Sequence, residues 1–217
     1  NLGAVIGEHT YNVGGIVGLS QYTGQLAPVI SDCVVISENL EFGKDYVKGD
    51  HNTGLGGIAG NLYSNTAGEA DASTVTNCYV AAKIVALEAD NTSKQTNVGG
   101  IVGASCDQTK TYTNCQFDGI IVGAATYRRT AGILGRSVDN TTFNNCVVSG
   151  IALGVSDSGV LNASRLCGTD YSLTVSNVYT SVKMSDKKNS GSEATQITAD
   201  TDLSALLAQK DADGNAI

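Results

Sequence analysis

The chain has 217 residues, with 26 Gly, one Pro, no Trp and a net charge of −8. Its length supports a sizeable core, and 41% apolar residues without a G-X-Y period exclude a wholly disordered or collagenous chain. The acidic excess argues against a nucleic-acid partner, whose phosphates require Lys and Arg. No apolar run reaches the roughly 18 residues of a spanning helix, so no membrane insertion by this segment is expected.

In chain order, the first β-prone run is Gly3-Ala4-Val5-Ile6-Gly7. A recurring motif then begins at Gly14-Gly15-Ile16-Val17-Gly18. It returns as Gly56-Gly57-Ile58-Ala59-Gly60, Gly99-Gly100-Ile101-Val102-Gly103 and Ala131-Gly132-Ile133-Leu134-Gly135, with a worn copy at Ser164-Arg165-Leu166-Cys167-Gly168. A second motif interleaves with it: Asp32-Cys33-Val34-Val35, Asn77-Cys78-Tyr79-Val80, Asn114-Cys115-Gln116-Phe117, Asn145-Cys146-Val147-Val148 and Asn177-Val178-Tyr179-Thr180. A third follows most directly as Gly119-Ile120-Ile121-Val122-Gly123 and Gly150-Ile151-Ala152-Leu153-Gly154.

Short β-prone runs joined by polar turns of variable length are what a stacked coil requires. Identical positions then lie about 4.8 Å apart and insertions are expelled as loops. The expected fold is therefore all-β: a right-handed parallel β-helix of about five three-strand coils over residues 1–185. Because Gly3–Gly7 matches the third motif, the chain is expected to begin inside a preceding coil of a larger parent protein. Residues 186–217 read as a linker and a helical cap, with Leu203, Leu206, Leu207 and Lys210 at helical spacing.

Gly-Gly-Ile-Val-Gly followed by Asn-Cys-x-Val resembles the GLUG-type repeats of bacterial, Bacteroidetes-like surface proteins and adhesins. The resemblance covers about residues 3–184. It implies an extracellular or cell-surface module for adhesion or display, with a glycan or a host or bacterial surface protein as partner and no cofactor.

Cys33, Cys78, Cys115 and Cys146 share one repeat position, and Val178 replaces them in the fifth copy. Cysteine packs readily as a small apolar group, so the column reads as buried free thiols. With no C-x-x-C and only two His, no metal site is expected. Asn77, Asn114, Asn145 and Asn177 form a parallel column that reads as an amide ladder at a bend. Candidate binding residues are Tyr46, His51 and Tyr63, read as lying on the long Phe42–Thr53 and Leu62–Thr74 turns.

The alternative is a polysaccharide-degrading lyase or glycoside hydrolase, because such enzymes occur on β-helices. Its candidate residues are Arg136, Arg165, Asp139 and Asp170, which would supply paired acid–base groups. Binding to ice would need a flat face of regular Thr rows. Thr109, Thr111 and Thr113 make one row, and the sequence offers no matching rows in the other repeats.

Overall fold

The computed structural model describes residues 4–7, 12–22, 28–42, 53–64, 72–86, 96–105, 109–123, 129–137, 140–154, 163–164, 166–168, 173–180 and 195–196. Every paired strand among them is parallel to its neighbour. They form four sheets, and no helix occurs among the described residues. The chain visits the sheets in a fixed order and returns to the first, an arrangement consistent with a parallel β-helix. The proposed helix at 200–210 lies outside the described residues.

Each full coil supplies four sheets rather than the three runs expected. Sheet 1 stacks Asn12–Gly14, Thr53–Gly56, Thr96–Gly99, Arg129–Ala131 and Ala163–Ser164. Sheet 2 stacks Val17–Tyr22, Ala59–Ser64, Val102–Ser105 and Leu134–Ser137, and Cys167 adds a bridge to Leu134. Sheet 3 stacks Val29–Ser31, Ala72–Thr76, Thr109–Thr113, Thr141–Asn144 and Leu173–Ser176. Sheet 4 contains nine strands, including Val34–Phe42, Tyr79–Ala86, Gln116–Phe117 and Val147–Val148. Two features account for the difference. The Gly-Gly-Ile run is a turn between sheets 1 and 2, not the middle of a strand. The Thr-rich segment before each Asn is a strand rather than a polar turn.

Glycine makes the first turn possible. A Cβ on Gly14, Gly56 or Gly99 would collide with the carbonyl oxygen of Val17, Ala59 or Val102, just across the turn. A Cβ on Gly57 or Gly100 would run into the side chain of Val80 or Phe117 in sheet 4. One on Gly60 or Gly103 would meet the sheet 1 backbone at Val13 or Leu55. Sheets 1 and 2 thus touch backbone to backbone, far closer than the roughly 10 Å of sheets separated by side chains. The turns themselves are stitched coil to coil, with the Ile58 amide donating to Ile101 O and the Ile101 amide to Ile133 O.

The core is built from columns. Ile58, Ile101, Ile133 and Leu166 are all fully buried at one repeat position, as expected for Ile58, Ile101 and Ile133. Val35, Val80, Phe117, Val148 and Thr180 align in register along sheet 4, also fully buried. Sheet 3 contributes Val75, Tyr112 and Phe143, and the last two rings stack with centroids 5.3 Å apart.

The two ends differ. In coil one Ile16 is 51% exposed, whereas its equivalents in the later coils are at 0%. Leu19, Val29, Val34 and Ile36 of the same coil are also exposed. In coil five Leu166 and Cys167 are fully buried, and Val178 and Thr180 nearly or fully so. Ala4–Gly7 pairs with Asn39–Phe42 in sheet 4, in the column of the third motif. Thr195–Gln196 pairs with Tyr179–Thr180, so parallel stacking continues past residue 185.

Candidate functional site

The bend between sheets 3 and 4 is made by Asp32, Asn77, Asn114, Asn145 and Asn177, with φ between 51° and 56°. Left-handed backbone is disfavoured for most L-residues and least so for Asn and Asp among non-glycines. The side chains then bond along the stack. The Asn77 amide donates to Asp32 Oδ1 at 2.9 Å, Asn114 to Asn77 at 2.9 Å, Asn145 to Asn114 at 3.2 Å, and Asn177 to Asn145 at 3.1 Å. The donated bond from Asn77 holds the Asp32 carboxyl below the usual carboxylate range.

One residue further on, the chain turns inward at the cysteine column. Cys78, Cys115 and Cys146 are buried and Cys33 half-buried, all as free thiols. Each Sγ donates to a backbone carbonyl, for example Cys78 to Thr76 O at 3.3 Å and Cys146 to Asn144 O at 3.2 Å. A hydrogen bond with Cys115, with burial adding to it, pushes the Cys78 thiol far up. The Cys115 thiol is pushed up to about 12, first by its hydrogen bond with Cys146 and then by burial. Burial raises Cys33 as well. Thiolate is therefore disfavoured at Cys33, Cys78 and Cys115, which suits packing rather than reaction. Among the described residues no group of His, Cys, Asp and Glu is placed to hold a metal ion.

One residue before the asparagine bend lies sheet 3, and its outward side is regular. Thr111 stands in register with Thr74 on one side and Thr142 on the other, and Thr142 with Thr174. A second column runs Ser31, Thr76, Thr113, Asn144 and Ser176. Intervening residues Val75, Tyr112 and Phe143 point into the core, so both columns face out, half-buried to exposed. Rows that match in part are thus present: Thr74 and Thr76 repeat Thr111 and Thr113, Thr142 with Asn144 and Thr174 with Ser176 vary them, and coil one has Val29 and Ser31. Their register was hidden because Ser and Asn replace Thr in some coils, and because the coils differ in length.

Neither the family models nor the curated proteins nor the solved structures searched match this chain.

Tyr63 lies not in a loop but in the strand Ala59–Ser64, half-buried and opposite Gln21. Tyr46 and His51 are outside the described residues. The two long connections also leave different corners: 43–52 joins sheet 4 to sheet 1, and 65–71 joins sheet 2 to sheet 3. Of the enzymatic candidates, Arg136 is half-buried in sheet 2, in register with Ala104. Asp139, Arg165 and Asp170 are outside the described residues.

Sequence reasoning missed the hydroxyl columns as a surface. The signal was the alternation Thr-x-Thr-Asn at Thr74–Asn77 and Thr111–Asn114, which is the period of a strand with one face outward.

Proposed function

We propose that this chain is part of a GLUG-type β-solenoid in a bacterial surface protein, serving adhesion or display by binding a glycan or a protein, without catalysis of its own. The observation that carries this reading is the rung-by-rung repetition of the outward residues in sheet 3 and along the asparagine bend. A catalytic centre needs unlike groups converging on one point, with proton affinities pushed apart. A repeating face offers groups of similar, mostly hydroxyl and amide, chemistry at successive rungs, which suits an extended or repetitive partner.

The reading includes an extracellular or cell-surface location, a right-handed winding and a larger parent chain. The open coil one supports the last: Ile16 is exposed where each later coil buries its equivalent. A further coil of the same repeat would cover it, as stacked units require. For the other end we propose residues 200–210 as a capping helix, on the helical spacing of Leu203, Leu206 and Leu207.

The test is a panel of polysaccharides and immobilised surface proteins offered to the purified chain, with binding and cleavage read in parallel. Retention of at least one class without release of reducing ends or unsaturated products is the expected result. Release of such products, abolished by Arg136→Ala, would replace this reading with the lyase or hydrolase alternative.

A further inference from the structure

We propose that the outward face of sheet 3 is a binding strip for a linear, neutral polysaccharide lying along the stack. This deepens the glycan branch of the functional reading above and rests on it. The strip consists of the column Thr74, Thr111, Thr142 and Thr174, which ends in coil one at the exposed Val29, beside the column Ser31, Thr76, Thr113, Asn144 and Ser176. The amide ladder borders it one residue further along each strand.

Three properties select the occupant. The first is charge. The two columns contain no ionisable side chain in a protein of net charge −8, and in the bordering ladder Asp32 alone is ionisable. A polyanion would find no cation there to offset its phosphates, sulfates or carboxylates, whereas a neutral hydroxyl-rich chain meets no repulsion.

The second is hydrogen-bonding type. Each Ser or Thr hydroxyl can donate one bond and accept others, and each Asn side chain carries both a donor and an acceptor. Sugar hydroxyls need this two-way capacity. Protein partners favour aromatic and Arg anchors, and neither column contains one.

The third is shape. Rungs repeat about every 4.8 Å along the stack, close to the length of one hexose in an extended chain, so each rung can address one sugar unit. The two columns are separated by about 7 Å, two residues along a strand. A strip this narrow, with four rungs polar in both columns and a fifth in one, matches a single polymer chain. A small soluble ligand would require a concave site instead.

The strip is also held in place before any ligand arrives. Tyr112 and Phe143 stack directly beneath Thr111, Thr113 and Thr142, and parallel pairing on both sides fixes the strand spacing. Little conformational freedom remains to be lost on binding, which favours affinity.

The experiment is affinity gel electrophoresis of the chain through gels containing linear mixed-linkage β-glucan, galactomannan or, as the charged control, polygalacturonate. The expected result is retardation by at least one neutral polymer and none by polygalacturonate, with little dependence on salt. The triple variant Thr111→Val/Thr113→Val/Thr142→Val preserves strand propensity and shape but removes three hydroxyls. It should weaken binding at least tenfold with an unchanged circular dichroism spectrum. Gln116→Val, outward on sheet 4, should bind as the parent does. Should the triple variant misfold, Thr111→Ser and Thr142→Ser, which keep the hydroxyls, must still bind. Equal binding by the triple variant and the parent would overturn the strip while leaving a glycan-binding function elsewhere on the molecule. Retardation by no neutral polymer would overturn the inference, and the protein-binding branch of the functional reading would still stand. Inhibition of ice recrystallisation that the triple variant loses, without polysaccharide binding, would overturn it in favour of an ice lattice.

Discussion

Each coil changes direction at two recurrent bends, and they solve the same problem in opposite ways. The turn between sheets 1 and 2 works by lacking side chains. Gly56, Gly57 and Gly60, or Gly99, Gly100 and Gly103, let backbone meet backbone in a fully buried corner. The bend between sheets 3 and 4 works through its side chains: an Asn in each coil takes up left-handed backbone and hands a hydrogen bond to the next. One bend is enforced by steric exclusion inside the protein and the other by polar bonding at its surface. The difference teaches where repeats can wear. The glycine turn degrades to Ala131 in coil four and Ser164-Arg165 in coil five, towards one end of the stack. The asparagine bend persists to Asn177 and changes only to Asp32 at the other end.

The buried bend should be the more fragile. The largest expected effect is Ile101→Ala, which empties a fully buried site at the tip of the turn. Equilibrium urea unfolding should show a loss of about 2–5 kcal/mol. A loss below about 0.5 kcal/mol would place Ile101 outside the core. Next comes Gly100→Ala. Its new methyl would strike Gly132 O and the Phe117 ring, so overpacking should cost about 1–3 kcal/mol by the same measurement. Pairing it with Phe117→Val, the residue type found in the neighbouring coils, should not recover that loss, because at the equivalent Gly57 a Cβ would strike the methyls of Val80 as well, and the clash with Gly132 O remains.

The surface bend should yield less, and its two components can be separated. Asn114→Ala removes both ladder bonds and leaves Ala at φ 53°, an expected loss of about 1–2 kcal/mol. Asn114→Gly removes the same bonds without the backbone strain and should lose less. If the two variants unfold alike, the left-handed conformation contributes nothing and the hydrogen bonds alone hold the bend.

The smallest effect concerns Asp32. Its carboxyl is held below the usual carboxylate range by the Asn77 amide. A depressed folded pKa gives stability above the unfolded pKa of about 3.9, lost as pH falls through the folded value. The melting temperature should therefore drop slightly more between pH 5 and pH 2 for the parent than for Asp32→Asn. Because the group is fully exposed, the difference should be small and screened by salt. An identical acid response in both proteins would remove the Asp32–Asn77 bond from the account.

How much of this was legible in the sequence depended on whether identity or only geometry repeats. The Cys and Asn columns and Ile58, Ile101 and Ile133 repeat as residue types, so alignment of the chain with itself located them. Gly-Gly-Ile repeats just as well, yet its role was misread. Apolar residues flanked by Gly resemble a strand, and nothing local shows that the backbone folds back on itself. The hydroxyl columns were lost for the reverse reason. Register places Ser31, Asn144 and Ser176 with Thr76 and Thr113, but polar residues before a bend resemble a turn. Tyr63 was assigned to a loop because the strand Ala59–Ser64 runs past the motif into polar sequence.

The central claim is that the coils stack in parallel and in register. Ser31 and Ser176 test it most directly, because they occupy one outward column four rungs apart while lying far apart in the chain. Spin labels can be introduced at both through an encoded keto side chain, leaving the native thiols untouched, and their separation read by pulsed dipolar spectroscopy. At about 4.8 Å per rung, the account predicts a single narrow distribution centred near 19 Å between the backbones, broadened only by the label arms. A broad distribution, or one centred well beyond about 30 Å, as expected of an unfolded chain, would contradict it.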